Sequence, residues 1–148
     1  MGEYHVRELE QSDIRFLSVF LGFWLPVLGY IVLIFVGSSI PNLPSASHIP
    51  HADKVAHFFE YGLLGFLGGR AFRHSGPGFL RKFWFGFAII AAMAVGFCDE
   101  SYQRTVPGRS KDVFDFLADV VGATFGQFAL FWVENKWIKK KKEEPFSQ

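Results

Sequence analysis

The sequence lacks several features that would assign it to a common soluble class. Its one cysteine, Cys98, cannot form a disulfide within the chain or supply the paired Cys-x-x-Cys motif of many zinc sites. The chain has no Gly-rich phosphate loop and no extended basic and aromatic surface, so no nucleic acid is expected as a partner. No Gly-x-Ser-x-Gly elbow marks Ser101 or Ser110 as a nucleophile. Because Cys98 lies in an apolar run, we expect it to be a small buried hydrophobic residue.

Charged residues are also scarce at 20%, whereas half of the residues are hydrophobic and 19 are phenylalanine. A helix rises about 1.5 Å per residue, so about 20 apolar residues cross a hydrocarbon core of roughly 30 Å. The composition and its pattern predict an all-α, polytopic membrane protein with four transmembrane helices. The predicted spans are residues 16–36, 55–69, 83–98 and 113–133. The shortest, 55–69, requires Lys54 and Arg70 to extend their side chains toward the two interfaces.

Polar tails flank the apolar region. Residues 1–15 have no apolar core and predict a short cytoplasmic tail or surface helix rather than a cleavable signal peptide. Residues 134–148 contain a basic run and predict a second cytoplasmic tail. The expected division is therefore 1–15, 16–133 and 134–148. Within the first span, Pro26 removes one backbone donor and predicts a kink.

The distribution of basic residues predicts the orientation. The two tails and the 70–82 loop hold 11 of the 15 Lys and Arg residues, and the other 4 are Lys54, at the end of one remaining loop, and three residues in the other. The positive-inside rule then places both termini in the cytoplasm. The loops 37–53 and 99–112 are expected on the outer side.

A row of acids begins the last predicted span. Asp112, Asp115, Asp119, Gly122 and Gly126 follow at intervals of 3, 4, 3 and 4, which places them on one helical face. Buried acids need a cation, a metal ion or water, so this face predicts a protected polar site.

The second predicted span supplies the opposite wall of this site. His57 and Glu60 lie near its outer end, and Gly65 and Gly69 have the small-xxx-small spacing that lets helices approach closely. Helix rise alone predicts that Glu60 and Asp119 lie at similar depth, with His57 and Asp115 in a shallower layer.

The residues leave three interpretations of the polar site open. The acids could pair with Arg109 and Lys111 and serve packing alone. The site could bind the polar head of an envelope lipid, a lipid-linked precursor or a glycopeptide. It could also be catalytic, with Glu60 or Asp115 as acid or base and His57 as partner. A divalent cation is a further option; its candidate ligands are Asp99, Glu100, Asp112, Asp115 and Asp119. Loop residues His48 and His51 have metal-ligand chemistry but no fixed partner.

Three separated motifs carry a family resemblance. They are Asp53-Lys54-x-x-His57-x-x-x-Tyr61-Gly62-x-Leu64-Gly65, then Asp99-Glu100-x-x-Gln103-x-x-Val106-Pro107-Gly108-Arg109, then Asp112-x-x-Asp115-x-x-x-Asp119-x-x-Gly122-x-x-x-Gly126. In this order they resemble the VanZ-like membrane protein family over residues 16–133. Asp119 stands where family members often carry Asn. The resemblance implies a multi-pass protein of the bacterial cytoplasmic membrane, and the namesake is associated with low-level resistance to the glycopeptide teicoplanin.

These observations lead to one preferred function and two alternatives. We expect an outward-facing polar pocket that binds or modifies an envelope lipid, a lipid-linked precursor or a glycopeptide. Glu60, His57 and Asp115 are the candidate catalytic residues, and Arg109 is the candidate anion contact. The remaining predicted binding residues are Lys54, Tyr61, Asp99, Glu100, Gln103, Asp112 and Asp119. The alternatives are a small proton-coupled carrier that uses Glu60 and Asp119, and a non-catalytic structural bundle.

Overall fold

The computed structural model describes residues 2–41, 51–109 and 112–143, with side chains described for 11–41, 51–109 and 112–140. The predicted site residues all lie within these ranges. His48, Ser110 and Lys111 lie outside them, as does most of the 37–53 loop. The described chain is helical apart from short connections, in agreement with the predicted all-α class.

A long helical segment opens the chain. It consists of α1 (Gly2–Val19), a π-helical turn (Phe20–Trp24) and α2 (Leu25–Ser38). The expected polar tail is thus helical and runs directly into the first apolar segment. The predicted irregularity at Pro26 takes the form of the π-turn just before it. Pro26 has no N–H for the Gly22 carbonyl, and Arg70 Nη1 donates to that oxygen instead at 3.2 Å.

The remaining helices are α3 (Ala52–Ser75), the short α4 (Gly78–Lys82), α5 (Trp84–Gln103) and α6 (Val113–Glu143). The Gly76-Pro77-Gly78 turn is therefore followed by one helical turn before the third apolar segment begins. Helix α6 continues through the predicted boundary at residue 134, so the described part of the basic tail is helical.

In the part of the chain that the structure describes, three helices are long and apolar enough to cross a membrane by length and composition: Gln11–Ser38, Trp84–Gln103 and Val113–Lys140. Large hydrophobic side chains on these helices are exposed, including Val32, Ile90 and Phe128 at about 60%. Bare apolar surface of this extent is expected where lipid, rather than water, contacts the protein. These features indicate a multi-pass membrane protein.

Helix α3 lies at the centre of the bundle and contacts α2, α5 and α6. Its buried face carries Tyr61, Leu64, Gly65 and Ala71, and the side chains of Tyr61, Leu64 and Ala71 are at most 4% exposed. This central position, rather than its own hydropathy, distinguishes α3 from the three apolar helices.

Glycines allow α3 and α6 to pack backbone against backbone. A Cβ at Gly122 would overlap the Phe58 carbonyl, and a Cβ at Gly126 would overlap the Gly62 carbonyl. Of the two predicted small-residue positions, Gly65 likewise faces backbone, that of Ala123, whereas Gly69 faces the side chains of Leu130 and Trp84. Only glycine fits at such a crossing.

Cys98 differs from its predicted environment because it is exposed. Its neighbour Phe97 is also 60% exposed, so this part of α5 lies on the outside of the bundle. An apolar run does not distinguish a residue that faces lipid from one that faces the core, and the prediction of burial was therefore wrong.

Candidate functional site

The polar site forms where the first turns of α3 and α6 meet the last turns of α2 and α5. Its acids and their partners are almost fully enclosed: Asp99 and Glu100 are 0% exposed, Asp119 is 1% and His57 is 7%. The three predicted motifs come together here. We call the enclosed set the polar cluster; its members are His57, Glu60, Tyr61, Asp99, Glu100, Gln103, Arg109, Asp115 and Asp119.

Lys54 closes the outer edge of the polar cluster. Its Nζ donates to Asp112 Oδ2 at 2.6 Å and to Asp115 Oδ1 at 2.9 Å. These two hydrogen bonds raise the pKa of the Lys54 ammonium group above its usual range, and the one to Asp112 has the larger effect. In return, the hydrogen bond from Lys54 lowers the pKa of the Asp112 carboxyl. Lys54 thus ties α3 to the start of α6.

Asp112 has a local role as well. It immediately precedes α6, and its Oδ1 accepts a hydrogen bond from the Phe114 N–H at 2.8 Å. This is the contact of an N-cap residue, which satisfies a backbone donor in the first helical turn. Asp112 therefore lies just before α6 begins, and not on the helical face that the 3–4 spacing predicted for it. Asp115 and Asp119 lie on that face and are buried.

A second pair lies deeper, where His57 Nδ1 and Asp119 Oδ1 are 2.9 Å apart. The His57 ring stacks on Tyr61 at a centroid distance of 6.3 Å, which fixes its orientation. The register of α3 against α6 therefore differs from the prediction by about one helical turn. His57 lies level with Asp119 and not with Asp115, and Lys54 pairs with Asp115. Helices α3 and α6 run parallel, and their relative register cannot be read from the helix rise of each alone.

Helix α5 supplies the third wall. Gln103 Nε2 donates to Asp99 Oδ2 at 2.9 Å and to Ser38 Oγ at 3.2 Å, which links α5 to the end of α2. Glu100 Oε2 accepts the Asp112 N–H at 3.2 Å. A Cβ at Gly96 would lie 2.9 Å from Asp119 Oδ2, so this glycine makes space for the acid.

The Val106-Pro107-Gly108-Arg109 motif forms a tight turn that positions Arg109. The Arg109 N–H donates to the Val106 carbonyl at 3.1 Å, and Gly108 has a φ of 80°. Proline followed by a glycine of positive φ is the pattern of a type II turn. The turn brings Arg109 Nη2 to 3.1 Å from the Gly37 carbonyl at the end of α2.

The three predicted catalytic residues do not form one hydrogen-bonded set. Asp115 is bound by Lys54 and His57 by Asp119. Glu60 is half-buried and accepts no side-chain hydrogen bond from the described residues. Its carboxyl is nevertheless within electrostatic range of His57, Asp99 and Arg109.

Five buried polar atoms in the polar cluster have no hydrogen-bond partner among the described residues. They are Tyr61 Oη, Asp99 Oδ1, Glu100 Oε1, Asp119 Oδ2 and Arg109 Nε. Buried polar groups are normally satisfied, and each unsatisfied group costs about 1–3 kcal/mol. The concentration of such atoms at one place marks a site that a polar ligand, an ion or water completes.

Two groups of donor atoms have the spacing of a cation site. His57, Glu100 and Asp119 each offer an atom within 4.8 Å of the others, and all three residues are buried. Asp53, Asp112 and Asp115 form the other group. Lys54 Nζ lies against all three of those acids and already serves as their cation. Four of the five acids predicted to hold a cation are therefore divided between these two groups, and Asp99 belongs to neither.

Several contributors to the site were missed in the sequence. Ser38 and the Gly37 carbonyl lie at the start of the predicted 37–53 loop, and Gly96 lies in the predicted span 83–98. Neither pattern predicts a contribution to the site. Gln127 is a further buried polar residue that the sequence analysis missed; it is 0% exposed on α6 and lies outside the polar cluster, beside the first turns of α5. With its amide in the favourable orientation, it donates to the Phe85 carbonyl at 3.1 Å and accepts from the Ile89 N–H at 3.2 Å. Its spacing of eight residues from Asp119 would have placed it on the same face.

A second polar contact set lies at the opposite end of the bundle. Glu134 pairs with Arg73 at 3.1 Å and with His74 at 2.6 Å. These side chains are more exposed than those of the polar cluster, and they join the end of α3 to α6. They provide matched positions for control substitutions.

Comparison with known proteins identifies a family. A family model described as VanZ/LLP1 matches residues 11–134, a range that includes all three motifs and the whole polar cluster. No curated protein and no solved structure matches significantly.

Proposed function

The chain belongs to the VanZ/LLP1 family, as its three motifs predicted, and from this premise we propose a ligand-binding function at the polar cluster. In this proposal the protein spans the bacterial cytoplasmic membrane four times with both termini inside. The polar cluster lies at the outer-leaflet end of the bundle and binds the polar head of an envelope lipid or a lipid-linked precursor.

The packing of α3 supports four spans. Helix α3 is 24 residues long and is surrounded by α2, α5 and α6. A helix in contact with three apolar helices lies at their depth in the membrane. Its charged residues Lys54 and Arg70 flank the segment 55–69, where they meet the two interfaces.

The single observation that carries the binding proposal is the group of five unsatisfied polar atoms. Three of them are carboxylate oxygens that accept hydrogen bonds, and Tyr61 Oη can donate or accept. Such a surface suits the hydroxyl and ammonium groups of a sugar, a peptide or an amine head group. Arg109 Nε is a donor and suits the phosphate that accompanies those groups in many envelope lipids. A glycopeptide offers the same hydroxyl and ammonium chemistry, and binding of one would link the cluster to teicoplanin-type resistance.

The arrangement favours binding over catalysis. Asp115 is bound by the Lys54 ammonium group and cannot take up a proton without losing that hydrogen bond, and the three predicted catalytic residues do not form one hydrogen-bonded set. Modification of the bound lipid would require Glu60 as the general base.

Native mass spectrometry of the full-length protein tests the binding proposal. We expect the purified protein to retain a co-purified envelope lipid or precursor, and Arg109→Gln and Asp99→Asn to reduce that retention at least about tenfold, since each removes a buried polar contact worth about 1–3 kcal/mol. Glu134→Gln, at the opposite end of the bundle, should leave it unchanged. Equal retention in all four proteins would show that lipid binds elsewhere.

Turnover and transport are separate readouts. Incubation with candidate lipids should give no product if the cluster only binds; product formation that is lost in Glu60→Gln would instead assign catalysis.

The buried His57–Asp119 pair beside Glu60 specifically favours a proton-coupled carrier as the second candidate. Proton-dependent flux across proteoliposomes, lost in Asp119→Asn, would establish the carrier and displace the binding proposal.

A further inference from the structure

The polar cluster holds more negative than positive charge. Lys54 neutralises acids at the outer edge through Asp112 and Asp115. Arg109 directs Nη2 to the Gly37 carbonyl rather than to an acid. We call the carboxylates of Asp99, Glu100 and Asp119 the inner carboxylates. Within the described chain, His57 is the basic side chain beside them: it is hydrogen-bonded to Asp119 and lies near Glu100.

The inner carboxylates are each half satisfied. Asp99 accepts a hydrogen bond from Gln103, and Glu100 accepts one from the Asp112 N–H. Asp119 is hydrogen-bonded to His57. The second oxygen of every one of them is buried and has no partner in the described part of the chain. Burying an unpaired carboxylate in a low-dielectric site costs free energy, and a positively charged ligand beside these oxygens would offset that cost.

We propose that His57, Glu100 and Asp119 form a binding site for a divalent transition-metal ion of the zinc type. The donor atoms of these three residues lie within 4.8 Å of one another. Metal bonds of about 2.0–2.2 Å require donor separations of roughly 3.3–3.6 Å, which a small inward movement of the side chains supplies. The ion would add the charge that the inner carboxylates lack.

The donor set decides the class of metal. One imidazole nitrogen with two carboxylates suits zinc, manganese or iron, whereas magnesium and calcium prefer oxygen ligands alone. Three protein ligands leave a coordination position for water or for a ligand oxygen. Asp99 lies beside the site, and its free Oδ1 is available to hold a metal-bound water.

The residues around the three donors preorganise them. Tyr61 stacks on the His57 ring, Gly96 leaves room for the Asp119 carboxylate, and the Asp112 N–H fixes Glu100. The His57–Asp119 hydrogen bond keeps these two side chains adjacent, and a metal ion would replace the proton that they share. Such preorganisation raises affinity because little motion is lost on binding.

Metal titration of the chelator-treated full-length protein tests this site without any lipid. We expect about one equivalent of Zn²⁺ to bind in competition with a chromophoric chelator. Removal of a supporting residue costs about 10- to 100-fold in metal affinity, so loss of a direct ligand in His57→Gln or Glu100→Gln should cost at least about 100-fold. The matched variants His74→Gln and Glu134→Gln remove an equivalent His and acid at the other end and should bind as the parent does.

Cobalt substitution gives a readout that needs no variant. Co²⁺ bound in the enclosed site should produce visible absorption bands distinct from those of the hydrated ion, and Zn²⁺ should displace them. Absence of these bands together with no stoichiometric Zn²⁺ binding would overturn the proposal and show that protons balance the inner acids. An equal loss of binding in His74→Gln would also overturn it, because the metal would then lie elsewhere. Lipid retention measured by mass spectrometry is independent of both outcomes.

Discussion

At the scale of single residues, Lys54 links two helices through one ammonium group. Its side chain is 23% exposed and that of Asp115 is 9% exposed, so the pair is shielded from much of the solvent. An exposed ion pair contributes little, but loss of one partner of a shielded pair leaves an uncompensated charge.

We therefore expect Lys54→Met to destabilise the protein by about 1–3 kcal/mol, since it leaves the buried Asp115 without its cation. Thermal unfolding in detergent measures the loss. Lys136→Met removes an exposed cation that lies over Trp132 and should change the midpoint little. The double variant Lys54→Met/Asp115→Asn should recover part of the loss; no recovery would mean that Lys54 acts through packing.

The same contacts predict a dependence on pH. The pKa of Asp112 is lowered by Lys54, so its contribution is present above the ordinary carboxyl pKa of about 3.9 and is lost as the pH falls through the lowered value. The raised pKa of Lys54 gives a contribution that is present below about pH 10.4 and is lost as the pH rises through the raised value.

The stability difference between the parent and Lys54→Met should consequently be constant from about pH 5 to pH 9 and shrink below about pH 4. Unfolding midpoints of the two proteins measured across this range test the prediction. A difference that vanished near neutral pH would contradict the assigned ion pairs.

At the scale of secondary-structure elements, the crossing of α3 and α6 sets the geometry of the cluster. The two helices run parallel and meet at Gly122 and Gly126, where no side chain separates the backbones. This close approach brings Lys54 and His57 within hydrogen-bond distance of the α6 acids. Substitutions at the crossing should therefore disturb both stability and the site.

Gly126→Ala is expected to destabilise the protein by about 1–3 kcal/mol because its Cβ would overlap the Gly62 carbonyl. Gly86→Ala is the matched control, since nothing lies within 4 Å of a Cβ there and alanine favours helix. Thermal unfolding distinguishes the two. If Gly126→Ala were as stable as Gly86→Ala, the close contact of α3 and α6 would be wrong.

At the scale of the whole molecule, the proposed topology places the two ends of α3 on opposite sides of the membrane. His51 and Thr105 are exposed at the end that holds the polar cluster, and Pro77 is exposed at the other. Cysteine replacements at these positions test the number of spans and the orientation together.

In a Cys98→Ala background, His51→Cys and Thr105→Cys should react with a membrane-impermeant maleimide in intact cells. Pro77→Cys should react only after the membrane is opened, because the positive-inside rule assigns its loop to the cytoplasm. Labelling of Pro77→Cys from outside would reverse the orientation, and labelling of His51→Cys and Pro77→Cys from the same side would remove α3 as a span.

The local chemistry of this chain determined its helical class and indicated many of the polar residues that the structure brings together. Long uncharged stretches specify helices that lipid can cover, and acids repeated at helical spacing specify a polar face, because both depend only on neighbours along the chain. The three separated motifs identified the family, and their residues do lie together in the bundle.

The tertiary structure decided which charges meet. It paired His57 with Asp119 and Lys54 with Asp115, it exposed Cys98, and it divided the acids into an outer set held by Lys54 and an inner set with unsatisfied oxygens. These outcomes depend on the register and rotation of helices against one another. That register is set by the glycine contacts between α3 and α6, which no helix specifies by itself.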